Sequence, residues 1–111
     1  MKNKVYLCGK MTGIKDFNYP LFNLTAKILR EMGYEVINPA ELKPLGSEDW
    51  KGYMKSGIKE LMTCDYIFTL DGWMFSKGAR IEVLLAWILG IKRKSVSEVL
   101  NQRFHRLTQK G

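Results

Sequence analysis

Short apolar runs alternate along this chain with longer stretches in which apolar residues recur every three or four positions. The short runs predict strands at Lys4–Cys8, residues 35–38 and residues 66–70, which are followed by a glycine, a proline and an aspartate. The longer stretches predict a helix after each strand. Strands that alternate with helices are typical of a parallel sheet covered on both faces, so we predict an α/β, three-layer αβα sandwich with a flavodoxin- or Rossmann-like sheet of three to five strands.

The predicted helices carry recognisable end signals. Pro20 lies in the first turn of the first helix and Gly33 follows its last apolar residue. Ser47 is the predicted N-cap of the second helix, whose weak point is Gly57. The third helix, which ends at Gly90, is apolar almost all round. We therefore expect it to be deeply buried or to form a subunit interface.

The pattern weakens beyond Gly90. A fourth strand that begins at Ile91 stays open, but the three basic residues 92–94 make a poor buried strand. Residues 97–109 again show helical spacing. We divide the chain into an α/β domain of residues 1–91 and a basic, helical segment of residues 92–111.

Charge is concentrated in that C-terminal segment. The chain of 111 residues has a net charge of +7. Six basic residues against Glu98 give residues 92–111 a net charge of +5 and leave +2 for the rest. A basic tail is more often a solvated surface than a nucleic-acid interface, so nucleic acid is an open but not a favoured partner.

Location and metal binding are constrained by what the sequence lacks. No apolar run approaches the roughly 20 residues that span a bilayer, and the N-terminal apolar stretch is too short for a signal peptide. We expect a cytoplasmic protein without a membrane partner. Cys8 and Cys64 lie far apart, without a CxxC motif and with one histidine in the chain, which favours buried, reduced thiols and no metal site.

Candidate chemistry lies between residues 71 and 90. Here a predicted strand ends at Asp71, a loop contains Trp73 and Ser76, and the next helix carries Glu82, which we place in its first turn. A carboxylate is favoured near a helix N-terminus, so we expect Glu82 to be held ionised. Ligands of open α/β sheets usually bind at this end of the strands.

Four segments resemble a known group of proteins: YLCGKMTG at residues 6–13, residues 17–23, VINPAEL at residues 36–42, and SKGARIE at residues 76–82. They are similar to small bacterial and phage proteins of unknown function that are related to nucleoside 2-deoxyribosyltransferases. The resemblance covers about residues 4–90. Its most specific part is Ser76-x-Gly78-x-x-x-Glu82, similar to the segment in which deoxyribosyltransferases and nucleotide N-glycoside hydrolases place their nucleophile.

The resemblance implies a role for each of these residues. Glu82 would be the nucleophile, and Ser76 and the N–H groups around Gly78 would hold a sugar hydroxyl or a 5′-phosphate. The loop after the first strand would lie against the nucleoside through Gly9, Lys10, Met11 and Gly13. Those families are homo-oligomers whose subunits complete each other's sites. This chain departs from them at Lys10, where relatives commonly have proline, and at residues 92–95, where a basic segment replaces the last strand.

Glycosidic cleavage needs a carboxylate at the anomeric carbon and a group that protonates the leaving base. Asp71 is the candidate acid if burial raises its pKa, and Trp73 or Phe75 is the candidate platform for the base. Hydrolase and transferase stay open, since water or a second base can resolve the intermediate. Neither reaction requires a cofactor.

Each of these residues also has an ordinary structural explanation. Glu82 would complement a helix dipole, Asp71 would serve a turn, and Trp73 and Phe75 would pack. Two other function classes also stay open. One is a nucleotide-binding protein without turnover, acting as a sensor or sequestering its ligand. The other is a nucleic-acid accessory protein that uses the basic tail.

Overall fold

The computed structural model describes residues 3–109, in which a four-stranded parallel sheet has the strand order β2-β1-β3-β4. The strands are β1 (Lys4–Cys8), β2 (Glu35–Ile37), β3 (Tyr66–Thr69) and β4 (Lys92–Ser95). The helices are α1 (Tyr19–Glu31), α2 (Trp50–Leu61), α3 (Lys77–Ile88) and α4 (Val96–Gln109). The alternation of the three predicted strands and helices is confirmed.

The two faces of β1 pack against different helices. Val5 and Leu7 belong to an apolar cluster that contains buried residues of α1 and α4. Tyr6 and Cys8 point to the opposite face and belong to a second cluster with residues of α2 and α3. This alternation is the ordinary period of a strand, and it confirms the predicted three-layer αβα arrangement.

The central pair of the sheet sets the position of the loops that follow it. β1 pairs with β3, with Tyr6 opposite Ile67 and Cys8 opposite Thr69. Both strands are largely buried, which suits parallel strands covered on both faces. The loops after β1 and β3 therefore begin side by side at the carboxyl edge of the sheet.

Residues 92–95 form a real strand, β4, so the prediction that a basic segment replaces the last strand is wrong. β4 is an edge strand, where basic side chains can point into solvent and also discourage pairing with other chains. Lys94 Nζ lies 5.4 Å from the centre of the Tyr66 ring, and the Arg93 guanidinium lies 5.4 Å from that of Trp73. Two of the basic side chains therefore contact aromatic rings of the same chain.

The N-cap of α2 is Asp49, and the prediction of Ser47 is wrong by two residues. The Asp49 carboxylate accepts a hydrogen bond of 3.1 Å from the Gly52 N–H, and the Ser47 hydroxyl donates to the same carboxylate. Gly52 is required by the tight turn, because a Cβ there would overlap the Ser47 carbonyl oxygen. Ser47 therefore supports the cap instead of being the cap.

Helix α3 has one buried and one exposed face, although it is apolar almost all round. Ala79, Glu82 and Ala86 are buried, whereas Leu84 and Trp87 are exposed, Trp87 by 76 %. Among the described residues, the elements that pack against the helix are chiefly α2, β4 and the turn at Trp73–Phe75, and they leave this outer face uncovered. The prediction of a deeply buried helix is wrong for this face, and the alternative of a subunit interface stays a prediction. None of the helices within residues 3–109 is long and apolar enough to cross a membrane.

Both cysteines are free and buried, as predicted. Cys64 lies beyond the end of α2, where its thiol donates to the Glu60 carbonyl at 3.4 Å and burial raises its pKa to about 11. Cys8 has a different environment, described next.

Candidate active site

A cavity of about 400 Å³ opens at the carboxyl ends of β1 and β2, between the start of α1 and the N-terminal turns of α2 and α3. This is the usual ligand position in open α/β sheets. Its lining consists of Tyr6, Gly9, Met11, Thr12, Phe17, Tyr19, Phe22, Pro39, Leu42, Glu48, Asp49, Trp50, Tyr53, Met54, Ser76, Gly78, Ala79 and Glu82.

Glu82 lies in the second turn of α3, and its predicted place in the first turn is wrong. The helix begins at Lys77, and Ser76 is its N-cap, with its hydroxyl oxygen accepting a hydrogen bond of 3.2 Å from the Ala79 N–H. Glu82 is the sixth helical residue, and the effect of the helix dipole falls off within the first turn. The ionisation of Glu82 therefore depends more on its burial and on the side chains that donate hydrogen bonds to it than on the dipole. The side chain is 8 % exposed and borders the cavity.

Two side chains of β1 donate to the Glu82 carboxylate. The Tyr6 hydroxyl donates to Oε2 at 2.7 Å, and the Cys8 thiol lies 3.6 Å from Oε1. The same thiol lies 3.8 Å from the Ala79 carbonyl oxygen, which is its alternative acceptor. The strand period explains the arrangement, because Tyr6 and Cys8 are two residues apart and therefore face α3 together.

Burial controls the protonation of these groups. It raises the pKa of Glu82 to about 7, against the opposing effect of the hydrogen bonds from Tyr6 and Cys8. Burial, and then the Glu82 carboxylate, also raise the pKa values of Tyr6 and Cys8 well above their ordinary range, so both remain protonated donors. The position near a helix N-terminus predicted that Glu82 is held ionised. At neutral pH it is only partly ionised, because the desolvation of the carboxylate outweighs the hydrogen bonds from Tyr6 and Cys8.

Gly57 gives the carboxylate and the phenol room to meet. A Cβ at this position of α2 would lie 2.8 Å from Glu82 Oε2 and still closer to the Tyr6 hydroxyl. Glycine inside a helix is destabilising by roughly 0.5–1 kcal/mol relative to alanine. Gly57, the residue that weakens α2, is thus required by the packing around Glu82.

Aromatic side chains surround the mouth of the cavity. Phe17 lies in the turn before α1, Tyr19 is the first residue of α1, and Trp50 and Tyr53 lie in the first turn of α2. Trp50 also makes a cation–π contact, since Lys77 Nζ lies 4.8 Å from the centre of its ring. A planar heterocycle that enters the cavity would meet these rings.

The segment that presents Phe17 has an unusual backbone. Asp16, Phe17 and Asn18 all have left-handed conformations, with φ values of 54°, 53° and 61°. Aspartate and asparagine tolerate this region, but phenylalanine rarely adopts it. The Asn18 side chain holds the segment by donating to the Lys10 carbonyl oxygen at 3.0 Å. Strained residues of this kind concentrate at ligand-binding sites.

Five of the nine predicted site residues line the cavity, namely Gly9, Met11, Ser76, Gly78 and Glu82. The two glycines are explained by close packing. A Cβ on Gly9 would lie 3.0 Å from the Leu70 side chain, and a Cβ on Gly78 would lie 3.0 Å from Met54 Sδ. The loop after β1 and the start of α3 therefore meet at the cavity.

The other four predicted residues, Lys10, Gly13, Asp71 and Trp73, are not among those that line the cavity in the described part of the chain. Asp71 is exposed and accepts a hydrogen bond of 3.3 Å from the Ser97 hydroxyl. The burial that would make it an acid is absent, because the chain turns outward after β3. Trp73 packs beneath Arg93, and Phe75 is exposed to solvent.

Sequence reasoning missed Tyr6, Cys8, Trp50, Tyr53 and Gly57 as parts of the site. The signal in β1 was the placement of a hydroxyl and a thiol at alternate positions of an otherwise apolar strand. The signal in α2 was a glycine inside a helix. Neither feature identifies Glu82 as the partner without the fold. No three His, Cys, Asp or Glu side chains of residues 3–109 come together as a metal site requires.

No curated protein matches the chain. The profile of one family, described as Domain of unknown function (DUF4406), matches residues 3–94. The match runs from β1 to β4 and includes Tyr6, Cys8 and Glu82, together with every other residue that lines the cavity. The chain therefore belongs to the DUF4406 family.

Proposed function

We propose that this protein cleaves or transfers the N-glycosidic bond of a nucleoside or nucleotide, with Glu82 as the nucleophile. The observation that carries the proposal is the buried Glu82 carboxylate, which borders an aromatic-lined cavity of about 400 Å³ and receives donors from Tyr6 and Cys8. The resemblance of Ser76-x-Gly78-x-x-x-Glu82 to nucleoside 2-deoxyribosyltransferases supports the same chemistry.

The chemical step uses the two sides of the cavity. The base stacks among the aromatic rings, and the anomeric carbon of the sugar faces a Glu82 oxygen. That oxygen attacks as the bond to the base breaks, and the resulting glycosyl ester is resolved by water or by a second base. Ser76 and the N–H groups at the start of α3 provide polar contacts for the sugar or its 5′-substituent.

Tyr6 and Cys8 act as positioning residues in this scheme. Their hydrogen bonds fix both carboxylate oxygens and favour the ionised form that attacks carbon. Burial opposes them, so the pKa of about 7 divides Glu82 between two protonation states at neutral pH. We expect the rate to rise with pH through 7 as the nucleophilic carboxylate accumulates.

The proposal includes a homo-oligomer. The exposed face of α3, formed by Leu84, Trp87 and Ile88, is apolar and has no partner within the described chain. Such faces mark interaction sites more often than free surface. The arrangement agrees with the resemblance, since those families assemble as homo-oligomers. A cytoplasmic location remains a prediction from the sequence.

One observation favours a second function, which is nucleotide binding without turnover. Both Glu82 oxygens already have donors, and the carboxyl is partly protonated at neutral pH. A carboxyl in this state can recognise a ligand without attacking it. A sensor or a sequestering protein would then use the same cavity.

Release of free base separates these functions. Ribo- and deoxyribonucleosides and their 5′-monophosphates are incubated with the wild type, with and without an acceptor base, and the products are separated by chromatography. We expect base release that falls by roughly 10³-fold or more in Glu82→Ala. Dependence on the acceptor would identify a transferase, and independence a hydrolase.

The matched control is Glu31→Ala, which removes an exposed carboxylate of α1 outside the cavity. It should keep the wild-type rate. Binding of a nucleoside by the wild type without base release would favour the binding protein, and the absence of both would refute the two functions together.

A further inference from the structure

Among the described residues, the side chains that lie beside Glu82 in the cavity are poorly suited to protonate a leaving base. Tyr6 and Cys8 have raised pKa values and already donate to Glu82. Asp71 lies outside, against Ser97. The pKa of Asp49 is lowered by the hydrogen bonds from Ser47 and Gly52, so this rim carboxylate is an acceptor at neutral pH. A base that must be protonated in order to leave would receive little help from the groups beside Glu82.

The lining of the cavity is acidic as well as aromatic. It includes three carboxyl groups, Glu48, Asp49 and Glu82, and it contains no lysine, arginine or histidine among the described residues. The Lys77 ammonium lies over the ring of Trp50, one of the lining residues. The acidic lining contrasts with the net charge of +7 of the whole chain. The cavity therefore attracts positive charge within a basic protein.

We propose that the substrate is a nucleoside whose base carries a fixed positive charge, such as an N-glycosylated pyridinium or an N7-alkylated purine. This inference rests on the proposed function, whose substrate class it names. The carboxylates attract the charge, and the rings of Phe17, Trp50 and Tyr53 stack on the cationic base.

The reaction then needs no acid. A Glu82 oxygen forms a bond to the anomeric carbon while the bond from that carbon to the base nitrogen breaks. The electron pair of the broken bond stays on the nitrogen and cancels its positive charge, so the base leaves neutral and unprotonated. Water then attacks the glycosyl ester, the carboxylate is released, and one proton passes to solvent.

Binding of a cation would also shift Glu82 towards its ionised, nucleophilic form. The groups that face Glu82 are Tyr6 and Cys8 from β1, and from α2 the uncharged Gly57. A cation beside the carboxyl would favour its ionised form and release the proton that burial retains. Because the pKa is about 7 in the empty site, affinity for the cation should be about tenfold weaker at pH 6 than at pH 8.

Two matched pairs of probes test this inference. 7-Methylguanosine is compared with guanosine at pH 6, where its base is cationic, and nicotinamide riboside with its neutral dihydro form at pH 6 and pH 8, by titration calorimetry and by base release. We expect the cationic member of each pair to bind at least tenfold more tightly and to be cleaved in preference. Glu48→Lys should weaken binding of the cations about fivefold more than binding of the neutral probes, since a rim charge acts through partly screened electrostatics.

The outcomes separate this inference from the function on which it rests. If neutral nucleosides are cleaved as well as cationic ones, and Glu82→Ala abolishes both, the cationic substrate is refuted while the glycosidic function stands. If Glu48→Lys alters neutral and cationic probes equally, charge recognition is refuted. If no nucleoside of either kind binds or reacts, both the inference and the proposed function are wrong.

Discussion

The two faces of the sheet are built from the same strands but have different contents. On the face covered by α1 and α4, β1 contributes Val5 and Leu7 to a cluster whose buried members are all apolar. On the face covered by α2 and α3, β1 contributes Tyr6 and Cys8, which surround the Glu82 carboxyl. One face stabilises the domain, and the other holds a group that burial penalises.

This difference shows how a small domain accommodates a reactive group. A buried carboxyl is tolerated because its two oxygens have donors and because Gly57 leaves room for it. The opposite face supplies the apolar packing that compensates for the desolvation. If this division is correct, substitutions on the two faces should differ in pH dependence as well as in size.

The largest effect is expected on the apolar face. Leu29→Ala removes a fully buried side chain of α1 and should lower the free energy of unfolding by about 3 kcal/mol through lost burial and a residual cavity. Urea unfolding at pH 5 and pH 8 measures this loss. The loss should be the same at both pH values, because Leu29 lies on the face opposite Glu82. A loss that changed with pH would break the comparison.

Glu82→Gln should show the reverse behaviour. The pKa of Glu82 is raised from 4.5 to about 7, so the carboxyl is protonated in the folded protein at pH values where it ionises in the unfolded chain. Its contribution to stability is complete below pH 4.5 and is lost as the pH rises through 7. The stability of the variant relative to wild type should therefore rise by about 3 kcal/mol between pH 4 and pH 8.5.

Urea unfolding of both proteins across that pH range gives the difference curve. Glutamine cannot titrate, and the other carboxyl groups are common to both proteins, so the slope isolates Glu82. The control, Glu31→Gln, should give a flat difference curve, since Glu31 is exposed. A flat curve for Glu82→Gln would show that burial does not raise this pKa.

The apolar pattern was sufficient to predict most of the fold. Continuous apolar runs identified the central strands β1 and β3, and helical spacing identified α1 and α2, because both periods follow directly from backbone geometry. β4 was mistaken for a replaced strand because an edge strand buries little, and its basic residues are compatible with solvent. Strand position in the sheet is a tertiary property that a local pattern does not contain.

The candidate site was predicted only in part. The local motif from Ser76 to Glu82 was sufficient to find the start of α3 and the residue at the cavity. Asp71 was adjacent to the motif in sequence, but the chain turns it outward to Ser97. Tyr6 and Cys8 lie more than seventy residues from Glu82 in sequence, and their contact depends on the pairing of β1 with β3.

Gly57→Ala tests the close packing around Glu82 on the face of the sheet covered by α2 and α3. The added Cβ meets the Tyr6 hydroxyl and Glu82 Oε2, so overpacking should outweigh the helical preference for alanine and leave a net loss of about 1–2 kcal/mol. In a Tyr6→Phe background, which removes the hydroxyl, the same substitution should be less destabilising by about 1 kcal/mol. Chemical denaturation of the four proteins gives this coupling. Additive losses would mean that Gly57 does not serve the Tyr6–Glu82 contact.

The smallest effect is expected at Phe17, which lies at the rim of the polar face and is 62 % exposed. Asparagine tolerates the left-handed backbone of this position better, so Phe17→Asn should raise the free energy of unfolding by up to about 1 kcal/mol. The same change removes a ring from the cavity and should lower kcat/KM on whichever nucleoside the wild type cleaves. Phe75→Asn, which removes an exposed ring outside the cavity at a position with ordinary φ, should change neither quantity. If Phe17→Asn lost stability as well as activity, the strained segment would be part of the packing, and the polar face would not sacrifice stability for its site.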